Sequence, residues 1–234
     1  MPLRSPGAAR VARDPVHHPL FARFYARISV SAETRMGMGG IRDRLLAGLS
    51  GRVIEVGAGN GLNFAHYPST VSEVVAIEPE RVLRQLAVEN ALRAEVPVDV
   101  APGAAEALPV KSEAFDAAVV SLVLCSVRDV PRALAEVRRV LRPGGVVRFF
   151  EHGRGGGRVM TLTQRALDRT VWPPLNGGCH VGRDPVAALR EAGFELGPYR
   201  RLLMPEEGPV LPTSYCVLGT AWRPGTTEGP AAEA

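Results

Sequence analysis

The sequence has little lysine, few cysteines and no long apolar run, and each shortage excludes a class of protein. Lys111 is the only lysine, so arginine carries nearly all of the positive charge. The formal net charge is +4 and the arginines are scattered, whereas a nucleic-acid-binding face requires clustered basic residues. No apolar run approaches the roughly 20 residues that span a bilayer. We therefore expect no nucleic-acid partner and no transmembrane segment.

The three cysteines, Cys125, Cys179 and Cys216, form no CxxC pair and no zinc-binding spacing. The opening residues lack the apolar segment of a secretory signal, and an odd number of cysteines then indicates reduced thiols. We therefore expect a cytoplasmic protein. We also expect no metal site, because a neighbouring Cys-His pair does not by itself bind a metal.

The length of 234 residues suits one α/β domain with small additions. Short apolar runs separated by helical patterns predict a parallel sheet that is buried on both faces, because the runs do not alternate with polar residues. These runs are 52–56, 74–77, 96–100, 115–121 and 146–150. The order of elements predicts a Rossmann-like, doubly wound fold that binds ligands at the carboxyl ends of its strands.

We divide the chain into an N-terminal helical extension (1–50), a core domain (51–222) and a disordered tail (223–234). Runs at 194–204 and 214–222 predict an antiparallel hairpin at the end of the core domain. An apolar stripe at helical spacing marks the extension and contains Leu20, Phe21, Phe24, Tyr25 and Ile28. The stripe either packs on the core or forms a lid in which Phe21 and Tyr25 contact a substrate.

A glycine-rich turn follows the first predicted strand, at Gly57, Gly59 and Gly61. Glycine permits a tight turn and a close approach of the backbone to a ligand. The GxGxG spacing differs from the GxGxxG of dinucleotide-binding proteins, in which the third glycine lets the helix pack closely. Glu55 at the strand end repels a pyrophosphate but suits the cationic groups of S-adenosylmethionine (SAM). Glu78 ends the next strand, where a carboxylate can hold ribose hydroxyls, so the pattern favours SAM.

Two further strand ends predict contacts with the same cofactor. Ala105 and Glu106 follow the third strand and are expected along an adenine edge, although Glu106 has the alternative of a solvated loop carboxylate. Ser121 and Leu122 end the fourth strand and are expected to wall the methionine part of SAM.

The acceptor side is expected beyond the fourth and fifth strands. His152 is the leading candidate for a general base because histidine titrates near neutral pH, with acceptor binding or a structural role as alternatives. Glu151 either orients His152 or contacts a backbone amide. Cys125 is either a buried structural thiol or a substrate contact. Cys179 and His180 lie in a glycine-rich segment that we expect to reach over the pocket as a lid contact.

Five motifs in this order resemble the class I SAM-dependent methyltransferases, and within them the type 11 branch. They are 55–61 (EVGAGNG), 76–79 (AIEP), 105–109 (AEALP), 115–116 (FD) and 140–145 (VLRPGG), and they cover about residues 50–150. The resemblance implies that 51–222 is a methyltransferase domain with SAM as methyl donor and S-adenosylhomocysteine as product. It also implies a seven-stranded sheet with an antiparallel last strand. The implied cofactor contacts are Glu55, Gly57, Gly59, Gly61, Glu78 with its neighbour Pro79, Ala105 and Glu106.

Four further runs resemble, more narrowly, the methyltransferase-like thiol methyltransferases. They are 60–68 (NGLNFAHYP), 122–127 (LVLCSV), 150–152 (FEH) and 176–180 (NGGCH). This resemblance implies methyl transfer to a small-molecule acceptor and favours a thiol. Methylation of oxygen or carbon in a quinone, phenolic natural product or lipid headgroup stays open, as does a non-catalytic SAM-binding regulator. Animal members carry a hydrophobic anchor, which we do not expect here.

Overall fold

A computed structural model describes residues 19–225 of the chain. Its strands are β1 (Gly51–Val56), β2 (Val71–Ile77), β3 (Val98–Ala101), β4 (Phe115–Ser121), β5 (Leu141–His152), β6 (Glu195–Leu203) and β7 (Tyr215–Trp222). Its helices are α1 (Pro19–Arg35), α2 (Met38–Leu46), α3 (Arg81–Ala91), α4 (Val130–Val140), α5 (Arg158–Asp168), α6 (Trp172–Leu175) and α7 (Pro185–Glu191). Residues 1–18 and most of the tail predicted to be disordered, 226–234, lie outside the described residues.

The seven strands form one sheet in the order β3-β2-β1-β4-β5-β7-β6. Strands β1 to β5 are parallel to one another, and β7 runs antiparallel to both β5 and β6. The predicted doubly wound fold, the terminal hairpin and the antiparallel last strand are therefore confirmed. The carboxyl ends of β1, β2, β4 and β5 meet at one edge of this sheet.

The apolar runs are continuous because successive side chains of one strand enter two different cores. In β1, Val53 packs on the side of α2 and α3, and Ile54 packs on the side of α4 and α7. Both side chains are fully buried. Helix α2 turns Ile41, Leu45 and Leu46 into the first of these cores, where all three are buried.

Strand β5 begins earlier than the sequence predicts. The apolar run that predicts this strand starts at residue 146, but β5 starts at Leu141 and bulges, so that Phe115 of β4 pairs with Leu141 and Ala117 pairs with Val146. The N–H of Gly144 donates to the carbonyl of Arg223 at 2.9 Å, which keeps this segment paired with the chain after β7. The proline and glycines therefore shape a bulge within a strand.

Helix α1 contacts α2 and α3 with a narrow face only. Ala22 and Ser29 are buried on that face, whereas Phe24 is 59% exposed and Ile28 is 45% exposed. The apolar stripe of the sequence therefore does not pack as a whole. Among residues 19–225, no helix combines the length and the apolar character that crossing a membrane requires.

Gly61 packs against α3 and offers a test of the fold around the glycine turn. Its φ is +78°, and an added Cβ would lie 2.5 Å from the Phe64 ring and 3.1 Å from the Cα of Ala87. We predict that Gly61→Ala lowers the free energy of unfolding by about 2–4 kcal/mol, from the left-handed backbone and the steric overlap. Urea denaturation measures this change.

Gly40 is the matched control, because it lies in α2 and an added Cβ would have no atom within 4 Å. Gly40→Ala should leave stability unchanged or raise it by about 0.5–1 kcal/mol, as alanine does within a helix. Equal stability of the two variants would contradict the close packing of Gly61.

Candidate active site

The glycine turn after β1 is tight, as its spacing predicts. Gly57, Gly59 and Gly61 have φ angles of +67°, +59° and +78°, which glycine adopts without strain. The N–H groups of Gly57 and Ala58 both donate to the carbonyl of Ile77, at 2.8 and 3.1 Å. A Cβ on Gly57 would lie 2.6 Å from the Val123 side chain. The turn therefore touches the loop that follows β4.

Glu78 lies at the end of β2, against this glycine turn. Its buried carboxylate accepts hydrogen bonds from the N–H of Gly59 at 2.7 Å and from the N–H of Glu80 at 2.8 Å. Burial raises the pKa of Glu78 to about 7, and the two N–H donors oppose that rise. Glu78 therefore lies against the glycine turn, and its contact with a ribose stays a prediction. Pro79 lies just outside α3, before the capping residue Glu80.

Glu55 is buried at the end of β1 and is held by protein partners. Its two carboxylate oxygens accept hydrogen bonds from Asn63 Nδ2 at 2.8 Å and from Tyr67 Oη at 2.7 Å. Arg42 of α2 donates in turn to Asn63 Oδ1. Burial raises the pKa of Glu55 to about 7, and both side-chain hydrogen bonds oppose the rise. Sequence reasoning missed these partners, although Asn63 and Tyr67 stand in the run 60–68.

The loop after β3 contributes a buried small residue and a carboxylate. Ala105 is buried, whereas Glu106 is partly exposed and accepts a hydrogen bond from the N–H of Arg128 at 3.0 Å. Glu106 therefore joins this loop to the start of α4. Contact of Ala105 and Glu106 with an adenine stays a prediction.

The chain reverses sharply after Ser121, the last residue of β4. Leu122 has a φ of +57°, which is unfavourable for a side chain of this size, and its N–H donates to the carbonyl of Phe150 at 2.7 Å. This reversal points the following N–H groups back toward β5.

The carboxylate of Glu151 accepts hydrogen bonds from those N–H groups. Glu151 is 0% exposed, and the donors are the N–H groups of Val123 at 2.8 Å, Leu124 at 2.9 Å and Cys125 at 3.2 Å. Of the two roles considered for Glu151, the backbone contact is confirmed. Burial raises its pKa to about 7 against the effect of the three donors.

Three residues from distant parts of the sequence converge beside this loop, and we call Cys125, His152 and Cys179 the CHC cluster. One ligand atom of each residue lies within 4.8 Å of the other two, and Cys179 Sγ is 3.4 Å from His152 Nδ1. Cys125 is 2% exposed and Cys179 is 7% exposed. The expected burial of Cys125 is confirmed, but no spacing in the sequence revealed that the three side chains meet.

The two thiols of the CHC cluster differ in acidity. The interaction between these neighbouring buried thiols raises the pKa of Cys125 well above its usual value and lowers the pKa of Cys179. Burial acts to lower the pKa of His152, but its hydrogen bond to Cys179 and nearby negative charges leave it raised. The base role predicted for His152 stays a prediction.

His180 connects the segment that carries Cys179 to the loop after β4 by hydrogen bonds. Its backbone N–H donates to the carbonyl of Cys125 at 2.7 Å, and its Nδ1 lies 2.8 Å from the carbonyl oxygen of Gly178. The segment therefore lies against the loop after β4, and its role as a lid stays a prediction. Contacts of His180 and Cys179 with a substrate stay predictions.

Phe21 and Tyr25 of α1 cover both parts of the site. A ring carbon of Tyr25 lies 3.6 Å from the point where Gly59 would carry a Cβ, and Phe21 lies 2.4 Å from the corresponding point of Gly177. The two rings stack with their centroids 5.8 Å apart. Helix α1 therefore bridges the glycine turn and the segment before Cys179, where a lid would lie.

Known proteins resemble this chain in both sequence and fold. Residues 54–149 match the family model described as "Methyltransferase domain". Human thiol S-methyltransferase TMT1B is 36% identical over 156 residues, covering 64% of this chain and 63% of that protein. The ubiquinone/menaquinone biosynthesis C-methyltransferase UbiE of Syntrophotalea carbinolica is 29% identical over 170 residues, covering 68% and 70%. The chain thus spans less than two thirds of the length of TMT1B.

A solved structure shares the fold. The SAM-dependent methyltransferase of Thermotoga maritima, described as a possible histamine N-methyltransferase, superposes with a TM-score of 0.63 at 24% identity. The match covers 88% of this chain and 98% of that one.

Glu151 is the residue whose removal should disturb the site most. We predict that Glu151→Ala lowers the free energy of unfolding by about 3–5 kcal/mol, because three buried N–H groups lose a charged acceptor. Glu151→Gln should lose less, since one acceptor oxygen remains. Glu195→Ala, at an exposed carboxylate of β6, is the control and should change stability by about 0.5 kcal/mol at most. Urea denaturation distinguishes them, and a wild-type midpoint for Glu151→Ala would contradict the role of this carboxylate.

Proposed function

Residues 54–149 are a methyltransferase domain of the class I, Rossmann-like fold, and from this premise we propose that the protein transfers the methyl group of SAM to a small-molecule thiol. One observation carries the proposal. The glycine turn touches the loop after β4 through Gly57 and Val123, so a cofactor held at that turn would lie beside the CHC cluster. Donor and acceptor would then meet at one edge of the sheet.

The residues at the glycine turn fit SAM better than a dinucleotide. The N–H of Gly59, which would otherwise be free to cradle a phosphate, is bound to the carboxylate of Glu78 at 2.7 Å. A pyrophosphate would be repelled by that carboxylate, whereas ribose hydroxyls would donate to it. Glu55 adds a second acidic group, which suits a cationic cofactor.

The chain would act mainly by positioning the two reactants. SAM, when bound, supplies a methyl group on a positively charged sulfur. Glu78 would hold the ribose, Ala105 and Glu106 would border the adenine, and Ser121 with Leu122 would wall the methionine part. Phe21 and Tyr25 would exclude water.

Two observations support a thiol as acceptor. Cys125, Cys179 and Val181 form a small buried apolar cluster against which Leu122 and Trp172 pack, and such a surface suits a soft, weakly polar acceptor. Human TMT1B, 36% identical to this chain, is named as a thiol S-methyltransferase. A thiol has a pKa of about 8.5 and ionises with little help, whereas a phenol near 10 needs a stronger base.

A quinol or phenol is the second candidate acceptor. The similarity to UbiE and the stacked rings of Phe21 and Tyr25 favour a flat aromatic molecule. A cytoplasmic location is also part of the proposal, and the three free cysteines support it because they suit a reducing compartment.

S-adenosylhomocysteine release from SAM tests the proposed function across a panel of an alkyl thiol, an aryl thiol, a phenol, a hydroquinone and phosphoethanolamine. We predict release with the thiols and little with the others. Release only with hydroquinone or phenol would replace thiol transfer by carbon or oxygen methylation. Tight S-adenosylhomocysteine binding without release from any acceptor would favour the non-catalytic regulator.

Glu78→Ala tests the cofactor site separately. Loss of a charged acceptor should weaken S-adenosylhomocysteine binding about 10- to 100-fold in calorimetric titration. Glu73→Ala is the matched control, because Glu73 lies on the same strand, five residues away and paired with Arg52. Equal affinity of the two variants would contradict the ribose contact.

The pH dependence of cofactor binding follows from the pKa of Glu78, which burial raises to about 7. Ribose hydroxyls need the ionised carboxylate as acceptor, so protonation at low pH competes with binding. We predict that S-adenosylhomocysteine affinity rises about tenfold from pH 6 to pH 8 and then levels off. Glu78→Gln should bind more weakly, with a flatter profile. Equal wild-type affinity at both pH values would exclude Glu78 as a contact.

A further inference from the structure

The CHC cluster contains the side chains that bind zinc most often, two thiols and one imidazole. They come from three segments: Cys125 from the loop after β4, His152 from the end of β5, and Cys179 from the segment after α6. Neither thiol forms a disulfide. The expectation of no metal site was based on the spacing of cysteine and histidine along the sequence. Such spacing does not predict that residues from three distant segments come together in the fold.

The distances within the CHC cluster are close to those of a zinc site. Zinc bonds of about 2.3 Å to sulfur and about 2.0 Å to nitrogen place tetrahedral ligand atoms about 3.5–3.8 Å apart. Cys179 Sγ and His152 Nδ1 are 3.4 Å apart, and no ligand pair exceeds 4.8 Å. Shifts of about 1 Å or less would therefore complete the coordination.

The backbone around both thiols is fixed by hydrogen bonds. The N–H of Cys125 donates to the carboxylate of Glu151 at 3.2 Å, and its carbonyl accepts from the N–H of His180 at 2.7 Å. The N–H of Cys179 donates to the carbonyl of Asn176 at 3.0 Å. A site whose ligands are held in this way loses little conformational freedom when a metal binds.

Trp172 places a buried hydrogen-bond donor beside the CHC cluster. It packs against the apolar cluster that contains both thiols, and its buried indole N–H makes no hydrogen bond of regular geometry within residues 19–225 but lies near enough to Cys179 to lower the pKa of that thiol. A buried N–H donor without a partner costs free energy. A metal-bound thiolate at Cys179 would offer that N–H a charged sulfur acceptor, as outer donors do around metal ligands.

We propose that Cys125, His152 and Cys179 bind one Zn²⁺ ion and that the acceptor thiol occupies its fourth coordination position. Three protein ligands with one open position characterise catalytic rather than structural zinc sites. His152 is the member of the cluster that is only partly buried, so an acceptor would approach the ion from its side. The identity of the acceptor rests on the proposed function, whereas the metal site does not.

The chemistry balances without an oxidant or a reductant. The thiol binds zinc through sulfur and releases its proton to solvent, because coordination ionises a thiol near neutral pH. The sulfur lone pair forms the new bond to the methyl carbon while the bond from that carbon to the sulfonium breaks. The thioether, neutral S-adenosylhomocysteine and one proton are the products.

Cobalt titration of the metal-free full chain tests the site independently of activity. Co²⁺ bound by thiolates gives charge-transfer absorption, and a tetrahedral site gives strong visible bands. We predict one Co²⁺ per chain, displaced by one Zn²⁺. Adding a small thiol should shift the visible bands, whereas phenol should not.

Cys179→Ala and Cys125→Ala should weaken Co²⁺ binding roughly 100-fold or more. Cys216→Ala is the matched control, because Cys216 is a buried cysteine paired with His152 across β7 and β5 but outside the CHC cluster. It should bind Co²⁺ like wild type. Circular dichroism confirms that each variant is folded.

The proposal is overturned if the reduced chain binds no stoichiometric Co²⁺, if folded Cys179→Ala binds it like wild type, or if thiols leave the bands unchanged. A Cys125–Cys179 disulfide in chain purified with reductant would also overturn it. These outcomes are distinct from failure of the proposed function. If the chain methylates thiols but binds no metal, only the metal site is contradicted. If it binds Co²⁺ but transfers no methyl group, only the proposed function is contradicted.

Discussion

The carboxylate of Glu151 connects the two halves of the site, because it lies fully buried at the end of β5 and binds three successive N–H groups of the loop after β4. A buried carboxylate without donors, or buried donors without an acceptor, would cost several kcal/mol, so the strand end and the loop are stable only together. The unfavourable backbone of Leu122 is held by this interaction. It also places Val123 against Gly57, and Cys125 beside Cys179.

The fold was predictable from the sequence because its signals are local. Continuous apolar runs predicted the buried sheet, and alternate glycines with Glu78 at the next strand end predicted the cofactor edge. Gly61 packs closely against Ala87 of α3, although the GxGxG spacing differs from the GxGxxG in which the third glycine permits such packing.

The remaining features depend on pairs that are distant in sequence. The bulge in β5 is held by Arg223, which lies far along the chain and pairs with Gly144 and Gly145. Phe24 is exposed although it belongs to the apolar stripe of α1. Helical periodicity predicts which residues share a face but not how wide a surface that face meets. The CHC cluster stayed hidden for the same reason, since its members lie in three segments that meet only when β5 and the loop after β4 are in place. The arrangement of the candidate acceptor side is therefore a property of the tertiary structure.

A crystal structure of the chain with S-adenosylhomocysteine tests most directly whether donor and acceptor share one edge of the sheet. We predict that the ribose contacts Glu78 and that the sulfur faces the CHC cluster across a space large enough for one small acceptor. A sulfur atom separated from the cluster by the ring of Tyr25, or a ligand bound away from the glycine turn, would contradict this arrangement.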